Sequence, residues 1–119
     1  MSLRLFFIFF SLVMVSSCIT KDRSFDWQSS LKDSEYVAID VRTAKEVVRN
    51  PAEGSVNIPL REINGGIDGV EKSKTILLFC EAGVRSHRAT RLLRKEGFEK
   101  VINIGSWRDW NRFYQQKKE

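Results

Sequence analysis

Short apolar runs, separated by breaks marked with polar residues, glycine or proline, recur along the chain at intervals that fit alternating strands and helices. Tyr36-Val37-Ala38-Ile39-Asp40-Val41 is rich in β-branched residues and reads as a buried strand. Thr43 is placed to cap a helix over residues 44–49, which Asn50-Pro51 stops. Ser55-Val56-Asn57-Ile58 is a short strand ended by Pro59. Residues 60–72, punctuated by Gly65, Gly66 and Gly69, hold one or two helical turns on a loop-like backbone. Thr75-Ile76-Leu77-Leu78-Phe79 is the clearest buried strand, and it runs straight into Cys80. Residues 85–96 set Ala89, Leu92 and Leu93 at helical spacing, with Gly97 where a helix C-terminal glycine belongs. Val101-Ile102-Asn103-Ile104 is a further strand, closed by Gly105. From Trp107 onward, Trp110 with Phe113 or Tyr114 makes the apolar stripe of a last helix that frays into a polar tail at 116–119. Strands alternating with helices predict an α/β domain with a mostly parallel sheet covered on both faces. In such sheets ligands bind beyond the carboxyl ends of the strands, which is where Cys80 falls.

The N-terminus follows a different pattern. Residues 1–4 are short and positive, and residues 5–15 are apolar apart from Ser11. A membrane-spanning helix needs about 20 apolar residues, so the run suits the core of a signal peptide. Val15-Ser16-Ser17-Cys18 resembles the lipobox of bacterial lipoproteins, in which the thiol is acylated and the chain is cut just before it. An ordinary secretory signal or an uncleaved anchor is the alternative. This reading divides the chain into a leader (1–17), a lipidated start with tether and first helix (18–35), the domain (36–115) and the tail. Ser24 would cap that first helix, with Phe25, Trp27 or Leu31 packing inward. The expected location is the bacterial cell envelope, facing the periplasm on a lipid anchor. Ile19 after the cysteine favours the outer membrane by analogy.

At 119 residues, with 42% hydrophobic and 29% charged positions, the chain fits one globular domain rather than a disordered segment. The net charge is +5, but 20 basic residues are interleaved with 15 acidic ones, which reads as a solvated surface and does not indicate nucleic-acid binding. There are two cysteines. Acylation of Cys18 would leave Cys80 as a lone thiol in an oxidising compartment, where unpaired thiols are unusual. His87 is the only histidine and has no partner cysteines around it for a metal site.

The segment Cys80-Glu81-Ala82-Gly83-Val84-Arg85-Ser86 joins a strand to a helix. Backbone N–H groups of such a loop can curl around whatever the sulfur carries, and the helix start adds unpaired N–H groups and a positive dipole end. That environment favours thiolate, and would equally hold the anionic outer sulfur of a persulfide. Gly83 allows the sharp turn, and Arg85 offers either a planar fork for an oxyanion or a surface ion pair. Cysteine phosphatases place that arginine one residue later, where Ser86 stands here. The tighter loop suits one sulfur atom better than a phosphoryl group.

Cys-x-x-Gly-x-Arg-Ser after an apolar strand resembles the active-site loop of rhodanese-family sulfurtransferases. Ile39-Asp40-Val41-Arg42 resembles the family's Asp-Val-Arg segment, and Gly54-Ser55-Val56-Asn57-Ile58-Pro59 its Gly-Ala-x-Asn-Ile-Pro step. The likeness runs from about Val37 to Trp110 and is strongest to small exported single-domain rhodaneses of the phage-shock-protein-E type. It implies a rhodanese-like domain in which Cys80 is the nucleophile and residues 81–86 form a persulfide loop. Asp40 and Arg42 would tie that loop to its neighbours. A sulfane donor such as thiosulfate would load Cys80, and a thiophilic acceptor, cyanide in assays, would unload it, with no metal or organic cofactor. A non-enzymatic module that binds a partner or senses persulfide is the rival, and the protein acceptor is not named by the sequence. Two positions depart from the family pattern: Asn50-Pro51-Ala52 where Gly-His-Ile is usual, and Ser106 where a second glycine is usual. Glu81 sets a carboxylate beside the sulfur, where it is expected to repel thiosulfate.

Overall fold

The computed structural model describes residues 35–63 and 65–119. The leader, Cys18 and the helix expected after Ser24 lie outside these residues. Four strands, β1 (Tyr36–Asp40), β2 (Val56–Asn57), β3 (Thr75–Cys80) and β4 (Lys100–Ser106), form one sheet in the order β2-β1-β3-β4, with every neighbouring pair parallel. Among the described residues, α1 (Ala44–Arg49), a 3-10 turn at Leu60–Glu62 and α2 (Val84–Lys95) lie in the connections, and α3 (Trp107–Lys118) follows β4.

Side-chain alternation along β3 divides the core in two. Ile76, Leu78 and Cys80 face α2, where Ile39, Ala89, Leu93, Phe98 and Val101 complete one cluster. Leu77 and Phe79 face α3 and pack with Ala38, Ile104 and Trp110. The Trp110 ring stacks on Phe79 at a centroid distance of 5.6 Å, and its indole N–H donates to Glu53 O at 2.8 Å. With an apolar face on each side, β3 can tolerate polar atoms only at its ends, and its C-terminal end is where Cys80 stands.

Thr43 caps α1 as expected, and reciprocally: Glu46 N–H donates to Thr43 Oγ1, while Thr43 N–H donates to the Glu46 carboxylate. The departure at Asn50-Pro51-Ala52 has a structural role of its own. Ala52 is buried in the α3-side cluster, Asn50 O accepts from Arg42, and Pro51 O accepts from Asn111 of α3. Ser106, the other departure, caps α3 by accepting from Asp109 N–H at 3.2 Å.

Several strand and helix boundaries shift by one residue from the sequence expectation, and two differences have a tertiary cause. β4 does not close at Gly105 but continues to Ser106 through a register shift, because Phe79 pairs with Gly105 where regular pairing would give Ile104. The expected tail at 116–119 is helical through Lys118. Lys118 Nζ bonds Glu53 at 2.8 Å and Lys117 Nζ lies over the Tyr36 ring, so the last turn rests on the domain instead of fraying.

Candidate active site

Cys80 is 1% exposed and is a free thiol at the carboxyl end of β3, with α2 opening at Val84. Gly83 takes φ +94°, a left-handed conformation that glycine adopts without strain, and its N–H donates to Cys80 Sγ at 3.1 Å. A Cβ at this position would also be in van der Waals contact, at 3.4 Å, with the Gly105 Cα of β4. The loop therefore sits close against the neighbouring strand, and Asn103 fixes it there. Asn103 Nδ2 donates to Gly83 O at 3.1 Å, and its Oδ1 accepts from Gly105 N–H at 3.0 Å and from Ser86 Oγ at 2.7 Å. The same buried Ser86 hydroxyl lies 3.4 Å from Cys80 Sγ, so one proton can serve either acceptor.

Burial pushes the Cys80 thiol up. The Ser86 hydroxyl and the amides of Ser86, Ala82 and Gly83 pull it down, and the balance leaves it below the ordinary thiol value. Ser86→Ala removes the largest of the lowering contributions, so its thiol pKa rises. The pH midpoint of Cys80 alkylation by iodoacetamide is then expected to move to higher pH, with the rate near neutrality falling roughly ten-fold. An unmoved midpoint would show that the amides alone hold the thiolate.

Arg85 does not present a free fork. Its Nη1 and Nη2 donate to the two Glu46 oxygens at 2.7 and 2.8 Å, a bidentate bridge between α2 and α1 with both side chains about one-third exposed. The Arg85 hydrogen bonds, then the Thr43 amide, hold the Glu46 carboxyl far below the usual carboxylate range. Glu46 in turn raises Arg85 above its ordinary value, with smaller contributions from Cys80. The guanidinium is thus held by a carboxylate of α1 and feels the reactive sulfur electrostatically.

Asp40 and Arg42 lie wholly inside. Arg42 Nε donates to Asp40 Oδ1 at 3.0 Å, Nη2 donates to Asp40 Oδ2 at 2.7 Å, and Nη2 also reaches Asn50 O at 2.7 Å. Nη1 has no hydrogen-bond partner among the described residues, and the guanidinium carbon lies 5.0 Å from the centroid of the Trp107 ring. Trp107 Nε1 donates to Glu81 at 2.8 Å, and Arg108 Nη1 bonds the other Glu81 oxygen at 2.8 Å. Glu81 is thus paired with Arg108 and stays an anion, the state on which the expected repulsion of thiosulfate depends. Its carboxylate is clasped by the start of α3, and Arg108 first, then Trp107, lowers its pKa.

Two clefts flank the loop. One of ≈ 570 Å³ is lined by Val41, Thr43, Pro59, Leu60, Arg61, Arg85, Arg88 and Leu92. The other, of ≈ 510 Å³, lies against Ala82, Gly83, Val84 and Asn103, with the exposed His87 on its wall. The structure brings Cys80, Gly83, Arg85 and Ser86 together and sets Asp40 and Arg42 behind them, while Val84 is left 77% exposed. Sequence reasoning missed Glu46, Asn103 and Arg108. Only Asn103 carried a signal, as the one polar residue of an apolar strand on the side facing α2.

A parallel sheet whose central strand ends in a cysteine cradled by backbone amides and a helix start defines a recognisable class of α/β domain. The sequence profile of the rhodanese-like domain matches residues 25–113, and the chain belongs to that family. It is 33% identical over 73 residues to thiosulfate sulfurtransferase PspE of Escherichia coli (strain K12), covering 60% of this chain and 70% of that protein. It is 35% identical over 79 residues to the putative sulfur carrier protein YrkF of Bacillus subtilis (strain 168), covering 66% of this chain. A tRNA uridine(34) hydroxylase of Prochlorococcus marinus (strain MIT 9515) is 30% identical over 91 residues, covering 68% of this chain. The chain spans 43% and 29% of the lengths of these last two proteins. Among solved structures, a rhodanese with anions from E. coli superposes with a TM-score of 0.57 at 29% identity, covering 63% of this chain and 91% of that one. The human single-domain sulfurtransferase TSTD1 shares the fold, with a TM-score of 0.61 at 24% identity, covering 78% and 91% of the two chains. Sulfurtransferases are thus among the relatives, and the family supports transferase activity.

Proposed function

We propose that the protein is a sulfurtransferase of the thiosulfate type, moving sulfane sulfur through a persulfide on Cys80. The observation that carries this reading is the Gly83 N–H aimed at Cys80 Sγ at 3.1 Å, in a cradle that lowers the thiol pKa. In the first half-reaction the Cys80 thiolate attacks the outer sulfur of thiosulfate. The sulfur–sulfur bond breaks, its electron pair leaves with sulfite, and Cys80 holds an anionic persulfide. In the second, a nucleophile such as cyanide takes the outer sulfur as thiocyanate and the electron pair returns to Sγ. The cradle amides stabilise both anionic states of the sulfur. Arg85, once an anion draws it from Glu46, orients the donor.

Incubation with thiosulfate is expected to add one sulfur to the intact mass of the protein, removable by reductant, and addition of cyanide to release thiocyanate catalytically. A protein that takes up no sulfur from thiosulfate or from polysulfide would overturn the reading. The near-complete burial of Sγ and the occupied fork of Arg85 favour one second reading, a domain that stores persulfide for a protein partner. Uptake of sulfur without turnover on cyanide would select it. The proposal extends to location: residues 1–17 as leader and an acylated Cys18 would hold the domain at the cell envelope facing the periplasm. It is supported by the residue pattern around Cys18, and a lipid-sized mass increment on membrane-extracted protein is its measure.

A further inference from the structure

We infer that the cleft between the Leu60–Glu62 turn and α2 seats the sulfur acceptor, and that this acceptor is a small organic thiol with an apolar body and an anionic group. The inference rests on the sulfurtransferase reading and names the class of molecule that unloads the persulfide. Val41, Pro59, Leu60 and Leu92 give the cleft an apolar floor, and Arg61, Arg85 and Arg88 set three guanidinium groups around it. At ≈ 570 Å³ it lies in the range that holds organic ligands, about 300–1,000 Å³, and it is far larger than a small inorganic anion needs.

The three cations are not equivalent. Arg85 is held by Glu46, whereas Arg61 and Arg88 have no hydrogen-bond or ion-pair partner among the described residues. Both are exposed, one on the 3-10 turn and one on α2 a turn beyond Arg85, so they flank the cleft from opposite elements. Guanidinium groups free of internal partners beside an apolar floor complement a molecule that is apolar along its length and charged at one end. Arg85 is the wall common to the cleft and the sulfur site, since it lines the cleft and belongs to the short segment that runs from Cys80 into α2. Val41, on the cleft floor, donates its N–H to Phe79 O, the carbonyl directly before Cys80.

An acceptor lying in this cleft points its sulfur toward the loop. Its thiolate attacks the outer sulfur of the Cys80 persulfide, a new sulfur–sulfur bond forms on the acceptor, and the electron pair of the broken bond returns to Cys80 Sγ. Charge and oxidation state balance with no further reagent.

The test uses persulfide-loaded protein with three acceptors: 4-mercaptobenzoate, 4-methylthiophenol, which lacks the carboxylate, and cyanide. Wild type is expected to show a lower KM for 4-mercaptobenzoate than for 4-methylthiophenol. In R61Q/R88Q the KM for 4-mercaptobenzoate rises about ten-fold, while cyanide turnover and loading by thiosulfate stay unchanged. Equilibrium dialysis with the unreactive 4-(methylthio)benzoate gives a readout that needs no turnover, and its binding is expected to fall in the same variant. Equal KM values for the two aryl thiols in wild type, or unchanged KM and unchanged dialysis in R61Q/R88Q, overturn the acceptor seat even when Cys80 loads normally. Failure of wild type to load sulfur overturns the sulfurtransferase reading instead, and the acceptor role with it.

Discussion

Cys80→Ser is expected to take up no sulfur from thiosulfate and to lower thiocyanate formation by at least about 1,000-fold, the scale on which removal of a covalent nucleophile acts. Serine fits the site, because the Gly83 N–H that now donates to Sγ can donate to a hydroxyl oxygen instead. What it lacks is an ionisable, polarizable nucleophile: the same cradle that lowers a thiol cannot bring an alkanol to its anion near neutral pH. Thermal unfolding should therefore match wild type while intact mass shows no added sulfur. Transfer that persists at the wild-type rate would mean that the sulfur never resides on this residue.

Asp40→Ala is expected to cost about 3–5 kcal/mol of folding stability, the usual penalty for leaving one partner of a buried ion pair. Typical domains have only about 5–15 kcal/mol in total, so the loss would be plain in a urea titration. The magnitude follows from where the pair sits. Both side chains are fully buried, the Arg42 guanidinium donates three hydrogen bonds to the Asp40 carboxylate, and after truncation only Asn50 O and the Trp107 face would remain to it. The effect should reach the active site as well, since Trp107 also holds Glu81, the residue next to Cys80. A variant as stable as wild type would show that the guanidinium finds water when the carboxylate is gone.

The elements were legible because each has a local cause. The apolar strands, the Thr43 cap and the glycine after α2 are signals contained within a few residues, and the structure repeats them. The strand-end cysteine followed by glycine was legible for the same reason. The contacts that govern its chemistry were not, because they join residues far apart in sequence. Glu46 reads as half of a capping box, and nothing local shows that its second duty is to occupy Arg85. Arg108 and Glu81 meet only because α3 begins where β4 ends, beside the loop. The register shift near Phe79 depends on two strands at once, so a strand that seemed to close at Gly105 runs on to Ser106. The end of α3 was misread by composition: glutamine and lysine suit a frayed tail, but here they reach Glu53 and Tyr36.

The all-parallel sheet also gives the domain two poles. Tyr36 pairs with Thr75 at the start of β3, whereas Cys80 ends the same strand, about 17 Å away at the rise of an extended chain. Lys117, near the end of α3, reaches the Tyr36 ring, so both ends of the described domain gather at the pole away from the sulfur. The residues before Tyr36 therefore join the described domain at that pole. A chain tethered through them would turn its cysteine outward, toward molecules arriving from solution, and keep the tether clear of the approach.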